Sequence, residues 1–354
     1  MLALFRIVTI GFLSVGVGMQ PAADVVPWLY EISLPVSSQQ TSEVNRVSRI
    51  GLMTVLNRIT GARSVSRDSV IENARQNVQN YVLQHSFSYV QDQLNPSTVS
   101  QLATVEFDPS AIRALIRDAG LPLWTSKRPT VLLWLTHFSE SGYTSVQGDL
   151  HPEQELVQSI SEIALARGLE IRWAHLSVPR YGVRNFFEPL LEFGSSYENI
   201  ASSYQAGVVF SMDVVPFRSY YLLKATIPYG IPGNDVSIDF FDNEVVAFSS
   251  GFHTLIDKLA DMYGVKSDQR NQIAIQVYNI QSLDAYLNVQ RYLANWEFVE
   301  RVDLSVVSGS SFRFLVQSLS SKEQFLVHLS EDSRFEIQSD KNGDTTISLN
   351  YVDN

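Results

Sequence analysis

The apolar and polar positions of this chain change period several times, and each change marks an element. Trp28 to Val36 (WLYEISLPV) reads as a strand. Val47, Gly51, Leu52, Val55, Leu56 and Ile59 then recur on one helical face, with Gly61 as the stop. A second helical stretch opens at Asp68, a residue suited to capping, and carries Ile71, Ala74 and Val78 as far as Val82. Val99 to Phe107 reads as a strand. Asp108-Pro109 starts a short helix through Ile112, Leu115 and Ile116 that ends at Gly120. The order strand, helix, helix, strand, helix predicts a small N-terminal α+β domain over residues 24–122.

A connector, Leu121 to Pro129, leads into Thr130 to Leu135, an apolar run of the kind buried on both faces of a sheet. A helix from Pro152 to Gly168, a strand from Leu169 to Leu176, a helix over Phe186 to Phe193 and a strand over Val208 to Met212 follow. Strands alternating with helices predict parallel pairing. Beyond Tyr220 the pattern turns antiparallel, and Ser237–Phe241 and Val245–Phe248 read as a hairpin around Asp242-Asn243-Glu244. A helix from Gly251 to Tyr263 closes a mixed-sheet α/β middle domain, residues 123–265. A polar stretch from Tyr263 to Gln272 reads as a linker. From there, strand, helix, strand, strand, helix, strand follow, the last helix being succeeded by strands over Arg334–Gln338 and Thr345–Tyr351 around Asn342-Gly343. That is the order of a ferredoxin-like C-terminal α+β domain, residues 266–354.

The N-terminus has a separate character. Arg6 precedes an apolar run from Ile7 to Val17, and small residues follow up to Ala23. Residues 1–23 are expected to be a cleaved signal peptide, because the run is shorter than the ~20 residues a spanning helix needs. The alternative is an inner-membrane anchor formed by the same residues. The expected location of the mature chain is the periplasm, with peripheral membrane association left open.

Composition narrows the chemistry. The 354 residues include no cysteine, which removes disulfides, thiolate metal sites and cysteine nucleophiles. Lys and Arg total 26 against 37 Asp and Glu, a net charge of −11 that argues against nucleic acid as a partner.

Four strings together resemble one bacterial family: LYEISLPV (Leu29 to Val36), VLNRITG (Val55 to Gly61), VEFDPSAIRALIRDAGLPLW (Val105 to Trp124) and RPTVLLWL (Arg128 to Leu135). The chain is similar on these residues to domain-of-unknown-function family 2066 of Gram-negative proteobacteria. The resemblance implies an envelope location and carries no reaction, cofactor or catalytic residue.

The six histidines, His85, His137, His151, His175, His253 and His328, form no helical metal-binding pair. No metal or cofactor is therefore expected. No nucleophile elbow, phosphate loop or complete calcium loop occurs. The candidate binding residues are Trp124 and Arg128 in the connector and Arg58 on the first helix, since aromatics and arginine concentrate at interface hot spots. For these to act, Trp124 and Arg128 must be partly exposed and Arg128 free of an internal carboxylate. The expected function is a non-enzymatic envelope accessory protein acting through protein partners. The alternatives are a periplasmic binder of small ligands or cell-wall fragments and a hydrolase with an unmarked site.

Overall fold

The computed structural model describes residues 27–91, 99–139, 142–146, 148, 154–174, 194–231, 236–266, 270–330, 334–338 and 346–352. The expected leader, residues 1–23, and the helix expected at 186–193 lie outside them. The described residues form eight α-helices and sixteen strands in four sheets, an α/β and α+β fold.

The first sheet holds β1 (Glu31–Val36), β2 (Val82–Gln91) and β3 (Val99–Phe107) in the order β1-β3-β2, all antiparallel. Against it pack α1 (Thr41–Thr60), α2 (Ser69–Gln76) and α3 (Pro109–Asp118). The expected caps are in place: Asp68 accepts from the Val70 and Ile71 amides, and Asp108 from those of Ser110 and Ala111. Strand β2 was not expected. The helical reading across Asp68 to Val82 holds only to Gln76, and the polar alternation after Tyr81 belongs to an edge strand with Leu83 and Tyr89 exposed.

The connector and the expected linker are not merely linkers. Within them β4 (Pro122–Trp124) and β11 (Gly264–Lys266) pair antiparallel as a separate two-stranded ladder.

The middle sheet is built around β5 (Val131–Ser139). Strand β6 (Gly142–Ser145) runs antiparallel along its far end, and β7 (Ile171–Trp173) runs parallel along its near end. On the other side β8 (Val208–Phe217) is parallel to β5, and β9 (Tyr220–Tyr229) and β10 (Val236–Phe241) continue antiparallel. Helix α4 (Gln154–Ala166), between β5 and β7, packs on one face, and α5 (Gly194–Ser203), between β7 and β8, on the other. The expected hairpin after β10 is absent: Val245–Phe248 belong to α6 (Glu244–Tyr263), which lies beside α4. The reason is local, since the Asn243 side chain accepts from the Val246 amide, and a cap three residues ahead of an apolar run starts a helix rather than a turn.

The last sheet contains β12 (Asn271–Tyr278), β13 (Val299–Ser308), β14 (Ser311–Ser318), β15 (Phe335–Ile337) and β16 (Ile347–Tyr351) in the order β13-β14-β12-β16-β15. Helices α7 (Leu283–Ala294) and α8 (Lys322–Ser330) complete it. The expected split βαβ is there, with β14 antiparallel between β12 and β13. The second half departs from the ferredoxin order: β15 is an added edge strand, and β16 runs parallel to β12.

Asn243→Ala should cost about 1 kcal/mol of stability by removing the cap of α6. Chemical denaturation measures it; an unchanged midpoint would mean the α6 start does not depend on that side chain.

Candidate functional site

Trp124, Arg128 and Arg58 do come together, but facing inward. Helix α1 ends at Gly61, which has a left-handed φ of 69°. Helix α4 ends just before Gly168, with a φ of 70°. The two C-terminal ends meet, so two sets of carbonyls without intrahelical partners converge. Three arginines satisfy them. Arg58 donates from Nε to the Leu165 carbonyl at 2.8 Å and from Nη1 to those of Trp28 and Glu31 at 2.7 and 2.6 Å. Arg167 donates from Nε to the Gly61 carbonyl at 2.9 Å, and its Nη2 bonds the same oxygen. Arg128 reaches five carbonyls: Thr125 from Nε at 2.9 Å, Gly168 and Arg167 from Nη1 at 2.6 and 3.4 Å, and Arg58 and Trp124 from Nη2 at 2.7 and 2.9 Å. Its guanidinium also sits 4.4 Å from the Trp124 ring centre.

This corrects the expected binding surface. Arg128 keeps some exposure and no carboxylate among the described residues pairs with it, yet backbone oxygens take up all three nitrogens of its head group. Trp124 is fully buried and Arg58 is 4% exposed, so neither belongs to a solvated face. Burial pulls Arg58 down to about 10 and Arg128 to about 9. Both remain charged at neutral pH. The neighbouring packing leaves no room for change: a Cβ on Gly61 would run into the Trp124 ring, and one on Gly168 into Arg128 Nη1.

The opposite, α5-side face of the middle sheet has the other character. Cross-strand register places Thr136 beside Asp213 and Asp213 beside Lys224. Thr136 Oγ1 donates to the Asp213 carboxylate, and desolvation raises Asp213 above the usual aspartate range. Lys224 is 8% exposed. The Tyr197 hydroxyl, from α5, is buried and has no partner among the described residues, and its ring stands edge-on to Trp134. Moving outward on the same face, the register continues through Val215 and Leu222 to an apolar strip. There Phe217, Tyr220, Ile238 and Phe240 are 46%, 50%, 49% and 51% exposed. The Phe217 and Phe240 rings lie 5.8 Å apart.

Sequence reasoning passed over this face. Its signal was present: Asp213 follows directly on the strand read as ending at Met212, and Lys224 interrupts the apolar strand YYLLKATIPY. His137, late in β5, points to the other face and pairs through Nδ1 with Glu244 Oε1 at 3.1 Å. His175 lies outside the described residues. Two surface grooves lie elsewhere. One, of about 620 Å³, includes Asn73, Asn77, Asn80 and Asp118; the other, of about 420 Å³, includes Leu283, Tyr286, Leu304 and Phe312. Neither brings a hydroxyl against a histidine. Among the described residues no group of three or more His, Asp or Glu could hold a metal ion.

Residues 23–125 match the model of a domain of unknown function, DUF8605. This overturns the resemblance to family 2066. The strings that carried that resemblance encode helix caps and a buried strand, and such physical features recur in unrelated α+β units. The matched region ends just past Trp124, at the close of β4. No curated protein matches the chain.

Arg128→Ala strands five carbonyls at a helix junction and should cost about 3–5 kcal/mol, comparable with Trp134→Ala, which empties a large core position. Arg128→Lys should recover little, because one ammonium cannot span the fork. Thermal melts compare the three. An Arg128→Ala protein that melts like the parent would return Arg128 to the list of surface residues.

Proposed function

We propose that this chain is an exported envelope accessory protein without catalytic activity, which docks a protein partner on the outer face of its middle sheet. The observation that carries the reading is the strip of Phe217, Tyr220, Ile238 and Phe240. Four large apolar side chains, each about half exposed and contiguous on one face, are a surface that association would cover. Aromatics in such a strip supply the anchoring contacts of interfaces. The periplasmic assignment rests on the short apolar run behind Arg6. No helix among the described residues is long and apolar enough to cross a membrane.

A second reading is favoured by one observation at the inner end of the same face. The buried Tyr197 hydroxyl has no partner among the described residues, Asp213 is near enough to act on it, and Lys224 stands beside Asp213 on the adjacent strand. They lie where the chain crosses to opposite sides of β5, at the point where open α/β sheets bind ligands. A small polar ligand there would be held by these three groups.

Phe240→Asp should change folding stability by no more than about 0.5 kcal/mol. Partner capture should weaken by about 2 kcal/mol or more if the strip is the docking surface. Crosslinked pull-downs from envelope extracts, run beside Leu83→Asp as an exposed control on β2, measure this. Capture lost in both variants or in neither would remove the strip from consideration. Capture lost only in Tyr197→Phe or Lys224→Met would favour the ligand reading.

A further inference from the structure

The arginine joint contains one imidazole, a side chain whose ordinary pKa of about 6.5 lies closest to neutral pH. His253, on α6, faces the C-terminal end of α4, where its Nδ1 lies 3.0 Å from Arg167 Nη1. A guanidinium only donates, so Nδ1 must be the acceptor and the ring must be neutral, with its proton on Nε2. The same arginine holds the Gly61 carbonyl, the end of α1, and bonds Asp257 Oδ1 at 2.6 Å. Asp257 Oδ2 in turn takes Arg63, from the segment after α1, through Nε at 2.9 Å and Nη2 at 2.6 Å. The charged groups facing His253 are thus Arg167 from the end of α4, Arg63 from beyond α1 and Asp257 one turn further along α6.

We propose that His253 is an acid-sensitive latch on this joint: protonating Nδ1 removes the acceptor of Arg167 and sets an imidazolium against the guanidinium, loosening the hold of α4 and α6 on residues 61–65 at the end of α1. Two cations then compete for the single carboxylate of Asp257, which Arg63 already shares. The bond to the Gly61 carbonyl holds the last residue of the α1 end, beside the contacts of Arg58 and Arg128, and it loosens with the displacement of Arg167. The direction of the pH effect follows from proton binding. Burial, then Arg167 and Arg63, hold His253 below its ordinary value of 6.5. The folded joint therefore binds fewer protons than the open one. The latch is complete above about pH 6.5 and weakens as the pH falls below it. This inference is independent of the docking surface, which lies on the other face of the middle sheet.

Hydrogen exchange of the full chain at pH 7.5 and pH 5.5, corrected for the intrinsic rate, tests it. In the parent protein, protection of the amides around residues 61–65 should fall by up to roughly tenfold per pH unit below 6.5. His253→Asn keeps an acceptor oxygen in the place of Nδ1 and cannot titrate, so protection there should be independent of pH. His253→Gln, which cannot titrate either, is the second variant should the Asn variant fail to fold. The comparison is local because His328, between α6 and the last sheet, is pushed down to about 4 by burial and adds its own acid sensitivity elsewhere. A parent protein whose 61–65 protection is unchanged at pH 5.5 overturns the proposal, as does an equal loss in parent and variant.

Discussion

Two helices ending at the same place create the constraint on which this structure turns. The last carbonyls of a helix lack intrahelical partners and carry the negative end of its dipole. At the ends of α1 and α4 two such sets face each other, one from the first core and one from the middle core. Water could satisfy them at a surface but not in a packed junction. Guanidinium groups can, because each carries five donors in a rigid fork and a charge that suits both dipoles. The arrangement is reciprocal. Arg58 of α1 caps α4, Arg167 after α4 caps α1, and Arg128 from the connector caps both. The desolvation visible in the depressed values of Arg58 and Arg128 is the cost of this solution, offset by charge-assisted bonds to otherwise unsatisfied oxygens.

The junction also explains why residues between the cores are so heavily used. Trp124 ends β4, stacks with Arg128 and closes over Gly61. Two residues on, Ser126 donates from its amide and hydroxyl to Glu297 at 2.8 and 2.7 Å, reaching the last core. Strand β11 contributes Val265 to that core while pairing with β4, and its Gly264 carbonyl accepts from Gln324 at 2.7 Å. A stretch of seven residues from Pro122 to Arg128 thereby touches all three cores. Its composition of Pro, Ser, Lys and Arg resembles a linker because its side chains satisfy backbone groups elsewhere rather than forming a periodic apolar face.

That difference marks what was legible in the sequence. Information written locally was readable: the caps at Asp68 and Asp108, the stop at Gly61, the buried run of β5 and the split βαβ of the last sheet. Each depends on residues a few positions apart. Asn243 was local too, but a short apolar run after a turn-forming tripeptide satisfies strand and helix patterns alike until the side-chain bond to Val246 is known. The arginine joint was legible only as an enrichment. Trp124, Arg128 and Arg58 were singled out by residue type, and their convergence spans 70 positions between Arg128 and Arg58. Residue type cannot say whether an arginine's acceptors are a partner's carboxylates or this chain's own carbonyls, and here they are the latter. Arg167, equally central, ends an ordinary amphipathic helix and gave no signal at all.

The open strip on the middle sheet has a topological origin. Helices reach the faces of a sheet as crossovers between parallel strands. Helix α4 belongs to the step from β5 to β7 and covers one face; α5 belongs to the step from β7 to β8 and covers the other, over β5, β8 and the inner end of β9. Strands β9 and β10 are then added by antiparallel turns, which bring no helix with them. The next helix, α6, returns to the α4 side. Over the outer end of β9 and over β10 the α5 side therefore receives no helix from the described elements, and Phe217, Tyr220, Ile238 and Phe240 stand exposed there. The chain thus commits the donors of three arginines to one internal joint and leaves four large apolar side chains exposed on a face that its described elements do not cover. Asp213 and Lys224 mark the border between the two, the last polar pair under α5 before the strip begins.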